Sequence, residues 1–155
     1  MVEQFVKQFL LQNAYHGSVR EWARDIEQFG LAQTDNDPTI LFIDDDPDQL
    51  ALFEALLTSN NYRVTTAQDG FEGLKKLKDE SIDIVICDAR MPGMSGVDFV
   101  YRLRKKRKFS HLPVIIVTAG TEDLEIPALQ MGADLFCPKS QARKLLPLQI
   151  ELLRG

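Results

Sequence analysis

Residues 40–48 read Ile40-Leu41-Phe42-Ile43-Asp44-Asp45-Asp46-Pro47-Asp48: four apolar side chains run straight into three aspartates. An uninterrupted apolar run has no polar face, so it reads as a strand buried on both sides of a parallel sheet. Three adjacent carboxylates at the end of such a strand repel one another, and desolvation raises the cost further. Something must compensate. Asp46 is accounted for locally: it precedes Pro47, a favoured first helical residue, and Gln49 follows three positions later, which makes it an N-cap. Asp44 and Asp45 are left without a structural reason.

Outward from this stretch, strand candidates fall at Thr39–Asp44, Arg63–Ala67, Ile82–Cys87, Pro113–Thr118 and Asp134–Pro138. Helical patterns lie between them, near 47–59, 69–79, 96–108, 122–131 and 140–153, the last expected to kink or split at Pro147. Strands alternating with helices imply right-handed crossovers, a parallel five-stranded sheet and a three-layer α/β sandwich.

In open α/β sheets the functional crevice lies at the carboxyl ends of the strands. The first strand ends at Asp44 and Asp45, the third at Asp88, the fourth at Thr118, and the fifth leads through Pro138 to Lys139. Clustered acids suit a hard divalent cation such as Mg²⁺, which takes oxygen ligands. A lysine and a hydroxyl opposite it suit a phosphoryl group. One carboxylate could serve as nucleophile, forming an aspartyl phosphate. The residues therefore point to Mg²⁺-dependent phosphoryl chemistry on an aspartate.

Residues 39–153 resemble the receiver domain of two-component response regulators. The resemblance rests on four motifs in order: the acid pair, Asp88 followed by Met91-Pro92-Gly93-Met94-Ser95-Gly96, Thr118-Ala119, and Gly132-Ala133-Asp134 leading to Lys139. It implies a flavodoxin-like fold with strand order 2-1-3-4-5. It implies Asp88 as phosphoacceptor, with Asp44, Asp45, Asp88 and the backbone carbonyl of Arg90 as Mg²⁺ ligands. Thr118 and Lys139 would contact the phosphoryl group, and Phe136 would be the aromatic that changes rotamer on activation. The donor would be a phosphohistidine of a sensor histidine kinase or phosphotransfer protein, and the output a switched contact with a downstream effector protein. The receiver would itself catalyse transfer to its aspartate and the later hydrolysis. A pseudo-receiver scaffold that is never phosphorylated is the alternative. An aspartyl-phosphate phosphohydrolase is a third reading, but such enzymes place a second acid two residues after the nucleophile, where Arg90 stands here.

One departure bears on geometry. The family usually has proline after the lysine, with a cis peptide; here Ser140 follows and Pro138 precedes. A cis bond at Lys139-Ser140 would be costly, and Cys137-Pro138 is open to either isomer. Arg90 is a second variable point: it sets a large cation beside the phosphorylation site, where it bears on access of water or of the kinase.

The 155 residues divide into a helical extension and linker over 1–36 and a receiver over 37–155. In the extension Val2, Phe5, Val6, Phe9 and Leu10 fall at helical spacing. Ser18 with Glu21 forms a capping-box signature before the stripe Val19, Trp22, Ala23, Ile26 and Phe29, and Gly30 reads as a C-cap. Such apolar stripes must pack on the receiver or on another chain, and the reading favours a homodimer through residues 1–30. The chain has no apolar run long enough for a membrane span and no signal-peptide pattern. Cys87 and Cys137 read as reduced core thiols, so the expected location is cytoplasmic. The net charge is −5. The basic run Arg102–Lys108 reads as a solvated helix face ending in a dipole-compensating turn, not as a nucleic-acid surface. His16 and His111 have no clustered partners and are assigned no role.

Overall fold

The computed structural model describes residues 37–119 and 125–154. The expected N-terminal helices and most of the linker lie outside them, as does the start of the helix expected at 122. The elements are β1 (Thr39–Ile43), α1 (Pro47–Ser59), β2 (Arg63–Ala67), α2 (Gly70–Asp79), β3 (Ile84–Asp88), α3 (Gly96–Arg104), β4 (Val114–Thr118), α4 (Glu125–Gln130), β5 (Leu135–Pro138) and α5 (Ala142–Arg154). Short 3₁₀ turns occupy Arg107–Phe109 and Lys139–Gln141.

All five strands are parallel, in the order β2-β1-β3-β4-β5. Alternation along β1 splits the core between the two faces. Leu41 and Ile43 join Phe99, Leu103 and Ala128 on the α2–α3–α4 side. Ile40 and Phe42 join Phe53, Leu57, Leu146 and Ile150 on the α1–α5 side. There Phe42 stacks on Phe53 with ring centroids 4.7 Å apart. β3 and β4 are buried along their whole length, which fits a parallel sheet covered on both faces.

Differences from the sequence reading lie at element ends. β3 begins at Ile84 because Asp83 turns the chain beside β1: its side chain accepts from Thr39 N at 2.8 Å, and its own N–H donates to Thr39 O. The helix expected to reach 108 stops at Arg104, whose guanidinium reaches forward to the carbonyls of Phe109 and Leu112. α5 runs unbroken through Pro147. Proline there removes one donor, and the buried residues on either side, Leu146 and Leu148, offset that loss.

Candidate functional site

Parallel strands bring their carboxyl ends to one edge, and the local sequence fixes what each end presents. β1 stops after Ile43; the Asp44 N–H bonds Ala67 O of β2, which sends its side chain into the edge, 1% exposed. Asp46 caps α1 as expected, accepting from Asp48 N at 2.9 Å. Its own N–H donates to Asp44 Oδ1 at 3.0 Å, so the turn that starts the helix also fixes the first acid.

Asp88 is the last residue of β3, in register with Val117, and is buried at 6% exposure. The loop behind it is built tightly. Gly93 has φ of +80°, where glycine is favoured. A Cβ at Gly96 would run into the main-chain oxygen of Asp88, so only glycine lets α3 start there. Ser95 and Asp98 close a capping box on that helix. The Met-Pro-Gly-Met-Ser-Gly run is thus the mould that holds Asp88.

Carboxylate oxygens of Asp44, Asp45 and Asp88 all lie within 4.8 Å of one another. The Lys139 ammonium bonds Asp44 Oδ2 at 2.7 Å and sits 3.5 Å from Asp88 Oδ1. Lys139 reaches the acids although Ser140 follows it, and there are no cis peptides among the described residues. Burial, and then the Asp44 carboxylate, push the Asp88 carboxyl up to about 6; Lys139 and the Arg90 N–H pull the other way without cancelling that rise. The site therefore carries more negative charge than its own cation offsets.

Thr118 ends β4 at 2% exposure, in register with Pro138, the residue before Lys139. The Arg90 side chain is exposed, while its N–H bonds the Asp88 carboxylate. Phe136 is not in the cluster. It lies opposite Ile116, half-buried against the α2–α4 side of the core. Cys87 and Cys137 are free and buried. Burial raises both thiols, Cys137 to about 12, and Asp88 and Asp44 add to the rise at Cys87.

Residues 40–151 match the model of the response regulator receiver domain. The chain belongs to this family. It is 33% identical over 121 residues, 76% of its length, to the transcriptional regulatory protein AfsQ1 of Streptomyces coelicolor. It spans 52% of that protein's length and less of other curated relatives. The response regulator TrrA of Thermotoga maritima, solved with Mg²⁺–BeF, is 32% identical, with a TM-score of 0.68 over 75% of this chain and 98% of its own. The receiver domain of a Pseudomonas aeruginosa PAO1 sensor histidine kinase, solved with magnesium in its active-site cleft, is 25% identical, with a TM-score of 0.70 over 77% and 99%. The fold, with its 2-1-3-4-5 sheet, is that of these receivers. No helix among the described residues is long and apolar enough to cross a membrane.

Sequence reading missed Arg104. Its guanidinium bonds Gly132 O at 2.9 Å, Phe109 O at 3.0 Å, Leu112 O at 2.6 Å and Asp134 Oδ2 at 3.0 Å. Asp134 also accepts from Val114 N at 2.8 Å. The Gly132-Ala133-Asp134 motif is thereby a receptor for Arg104: Gly132 has φ of +110°, and a Cβ there would press on the arginine stem. The other basic residues of the run are exposed. Nothing in the sequence singles out this arginine from its neighbours.

Proposed function

We propose that this receiver takes a phosphoryl group onto Asp88. The observation that carries the reading is a buried, negatively surplus carboxylate at the end of β3 with the Lys139 ammonium 3.5 Å away. An Asp88 oxygen attacks the phosphorus of a phosphohistidine. The P–N bond breaks, the imidazole leaves with the electron pair, and an acyl phosphate forms. Water attacking the same phosphorus later releases inorganic phosphate and restores the carboxylate. Lys139 neutralises charge on the transferring group, and the Thr118 hydroxyl donates to it.

The donor set fits Mg²⁺: three carboxylates within 4.8 Å supply hard oxygen ligands, and their unbalanced charge favours a cation. Asp44, Asp45, Asp88 and the Arg90 carbonyl would hold it, and when bound it shields the phosphoryl oxygens. The magnesium in the two solved relatives supports this assignment.

The donor is a sensor histidine kinase or phosphotransfer protein, and the setting is cytoplasmic. Phosphate on Asp88 draws Thr118 and Lys139 toward it, and the face formed by α4, β5 and α5 shifts with Phe136, biasing contact with an effector protein. Intact mass after incubation with acetyl phosphate tests the reading. One added phosphoryl is expected on wild type with Mg²⁺, and none on Asp88→Asn or after chelation. Equal labelling of Asp88→Asn sinks the assignment; no labelling from either acetyl phosphate or a phosphotransfer donor leaves the scaffold alternative.

A further inference from the structure

The basic run Arg102–Lys108 needs a helix beneath it to be a solvated helix face, but α3 stops at Arg104. Lys106 lies beyond that helix, and Arg107 and Lys108 lie in the 3₁₀ turn that follows. The helix dipole accounts for cations in the last turn, and its effect fades past it. Arg104 is spent on the fold, while Arg102, Lys105, Lys106, Arg107 and Lys108 are exposed, as is Lys75 on α2. Among the described residues none of these exposed cations forms a salt bridge with a carboxylate. Yet the chain as a whole carries a net charge of −5. Crowded like charges repel and lower stability, and no contact within the described fold offsets that cost.

Aromatic rings order these cations instead. The Arg102 guanidinium lies 5.8 Å from the Phe71 ring centroid, Lys105 Nζ 4.2 Å from that of Tyr101, and Lys108 Nζ 5.4 Å from that of Phe109. Phe71 is 59% exposed and Tyr101 48%. The Phe71–Arg102 contact puts α2 and α3 on one outer face, and Lys75 stands one turn along α2 from Phe71. A cation already held over a ring loses less freedom when an anion arrives. The acids on this face are otherwise engaged: Glu72 accepts from the Gln68 N–H and pairs with Lys76, and Asp98 closes the capping box of α3. Past Lys108 the surface changes sign at a cleft rimmed by Asp79, Glu80 and Asp83. We propose that the α2–α3 face docks a short acidic segment of a partner protein. Its carboxylates meet Arg102, Lys105, Lys106 and Arg107, and an apolar side chain lies against Phe71 and Tyr101. Nucleic acid fits this face less well. Rings already covered by their own cations offer less surface for base stacking, and a long phosphate backbone would run onto the acidic rim. α3 starts against Asp88 and ends at the opposite edge of the sheet, where Arg104 meets the segments leading into β4 and β5. Docking there leaves the carboxyl edge open.

Fluorescence anisotropy of the 155-residue chain with a fluorescein-labelled peptide of repeated Glu-Glu-Phe tests the proposal. Saturable binding is expected, weakening as salt rises. Lys105→Glu combined with Arg107→Glu should weaken it about tenfold or more. Arg143→Glu combined with Lys144→Glu, both exposed on α5, changes net charge equally and should alter binding less than about two-fold. Tyr101→Ala removes the ring under Lys105 and should fall between the two. Lys105→Gln combined with Arg107→Gln gives the same reading in smaller measure should the charge reversal fail to fold. Three results overturn the proposal: no saturable binding of the peptide, an equal loss from the α5 pair, or tighter binding of a labelled single-stranded oligonucleotide than of the peptide. None depends on phosphoryl transfer, so failure of the Asp88 assignment would leave this readout unchanged.

Discussion

Two aspartate–cation pairs stand at different corners of this receiver, and they are built to opposite ends. At the α3–β5 corner, Asp134 meets Arg104 at 3.0 Å, and the same guanidinium is shared among three carbonyls. The same Asp134 oxygen also accepts from a backbone N–H. At the carboxyl edge, Lys139 faces Asp44 and Asp88 together, with Asp45 close by, and Asp88 is left with a carboxyl raised to about 6. The first pair matches one charge with one and ties four chain segments together. The second leaves charge over, and that excess is what a cation and a phosphoryl group would meet. A satisfied charge holds the fold, whereas an unsatisfied one is available for chemistry.

The contrast breaks most readily at Arg104. Arg104→Ala strips a donor from three carbonyls and from Asp134, and is expected to lower unfolding free energy by about 2–4 kcal/mol. Arg104→Lys should recover little, since an ammonium cannot reproduce the planar fork. Labelling at Asp88 by acetyl phosphate should survive in the folded fraction of either variant. Denaturant melts of the three proteins check this; a loss below about 0.5 kcal/mol, the range of ordinary surface substitutions, would show that the corner is decorative.

The carboxyl edge should answer in the other direction. In the metal-free protein the folded Asp88 has its pKa above that of the unfolded chain, about 6 against 3.8. Its contribution to stability is fully present below about 4 and is lost as pH rises to about 6. Asp88→Asn removes that loss. It should raise stability by roughly 1–3 kcal/mol at pH 7 and by almost nothing at pH 4. Mg²⁺ should stabilise wild type by mass action and narrow the gap. Urea midpoints at the two pH values, with and without Mg²⁺, test the sign. A destabilised Asn variant at pH 7 would mean that Lys139 already balances the site.

Legibility in the sequence followed the same division. α1 and β2 were readable to the residue and β1 to within one, because ILFI has no polar face and Asp46-Pro47 announces a helix start. Asp44, Asp45, Asp88 and Lys139 were readable as a group, because a parallel sheet delivers all its strand ends to one edge. What stayed hidden was set by long-range hydrogen bonds. Asp83 shortens β3 by bonding across to Thr39, and Arg104 ends α3 by reaching the segments that lead into β4 and β5. One arginine in a run of like charges gives no local sign of such a role.

Asp46 supplies the smallest and sharpest cut through the comparison, because it sits among the acids yet belongs to the fold. Its carboxylate accepts from Asp48 N, and only its backbone N–H serves Asp44. Asp46→Ala should therefore cost about 1 kcal/mol, the usual worth of an N-cap, and Asp46→Asn or Asp46→Ser should restore most of it. Replacing the side chain leaves the Asp46 N–H in place, so Mg²⁺ affinity and labelling of Asp88 should change less than two-fold in the folded protein. If Asp46→Ala instead weakens Mg²⁺ binding about tenfold while Asp46→Ser does not rescue it, the third aspartate is part of the charge excess. The boundary between structural and reactive acids would then lie one residue further along the turn.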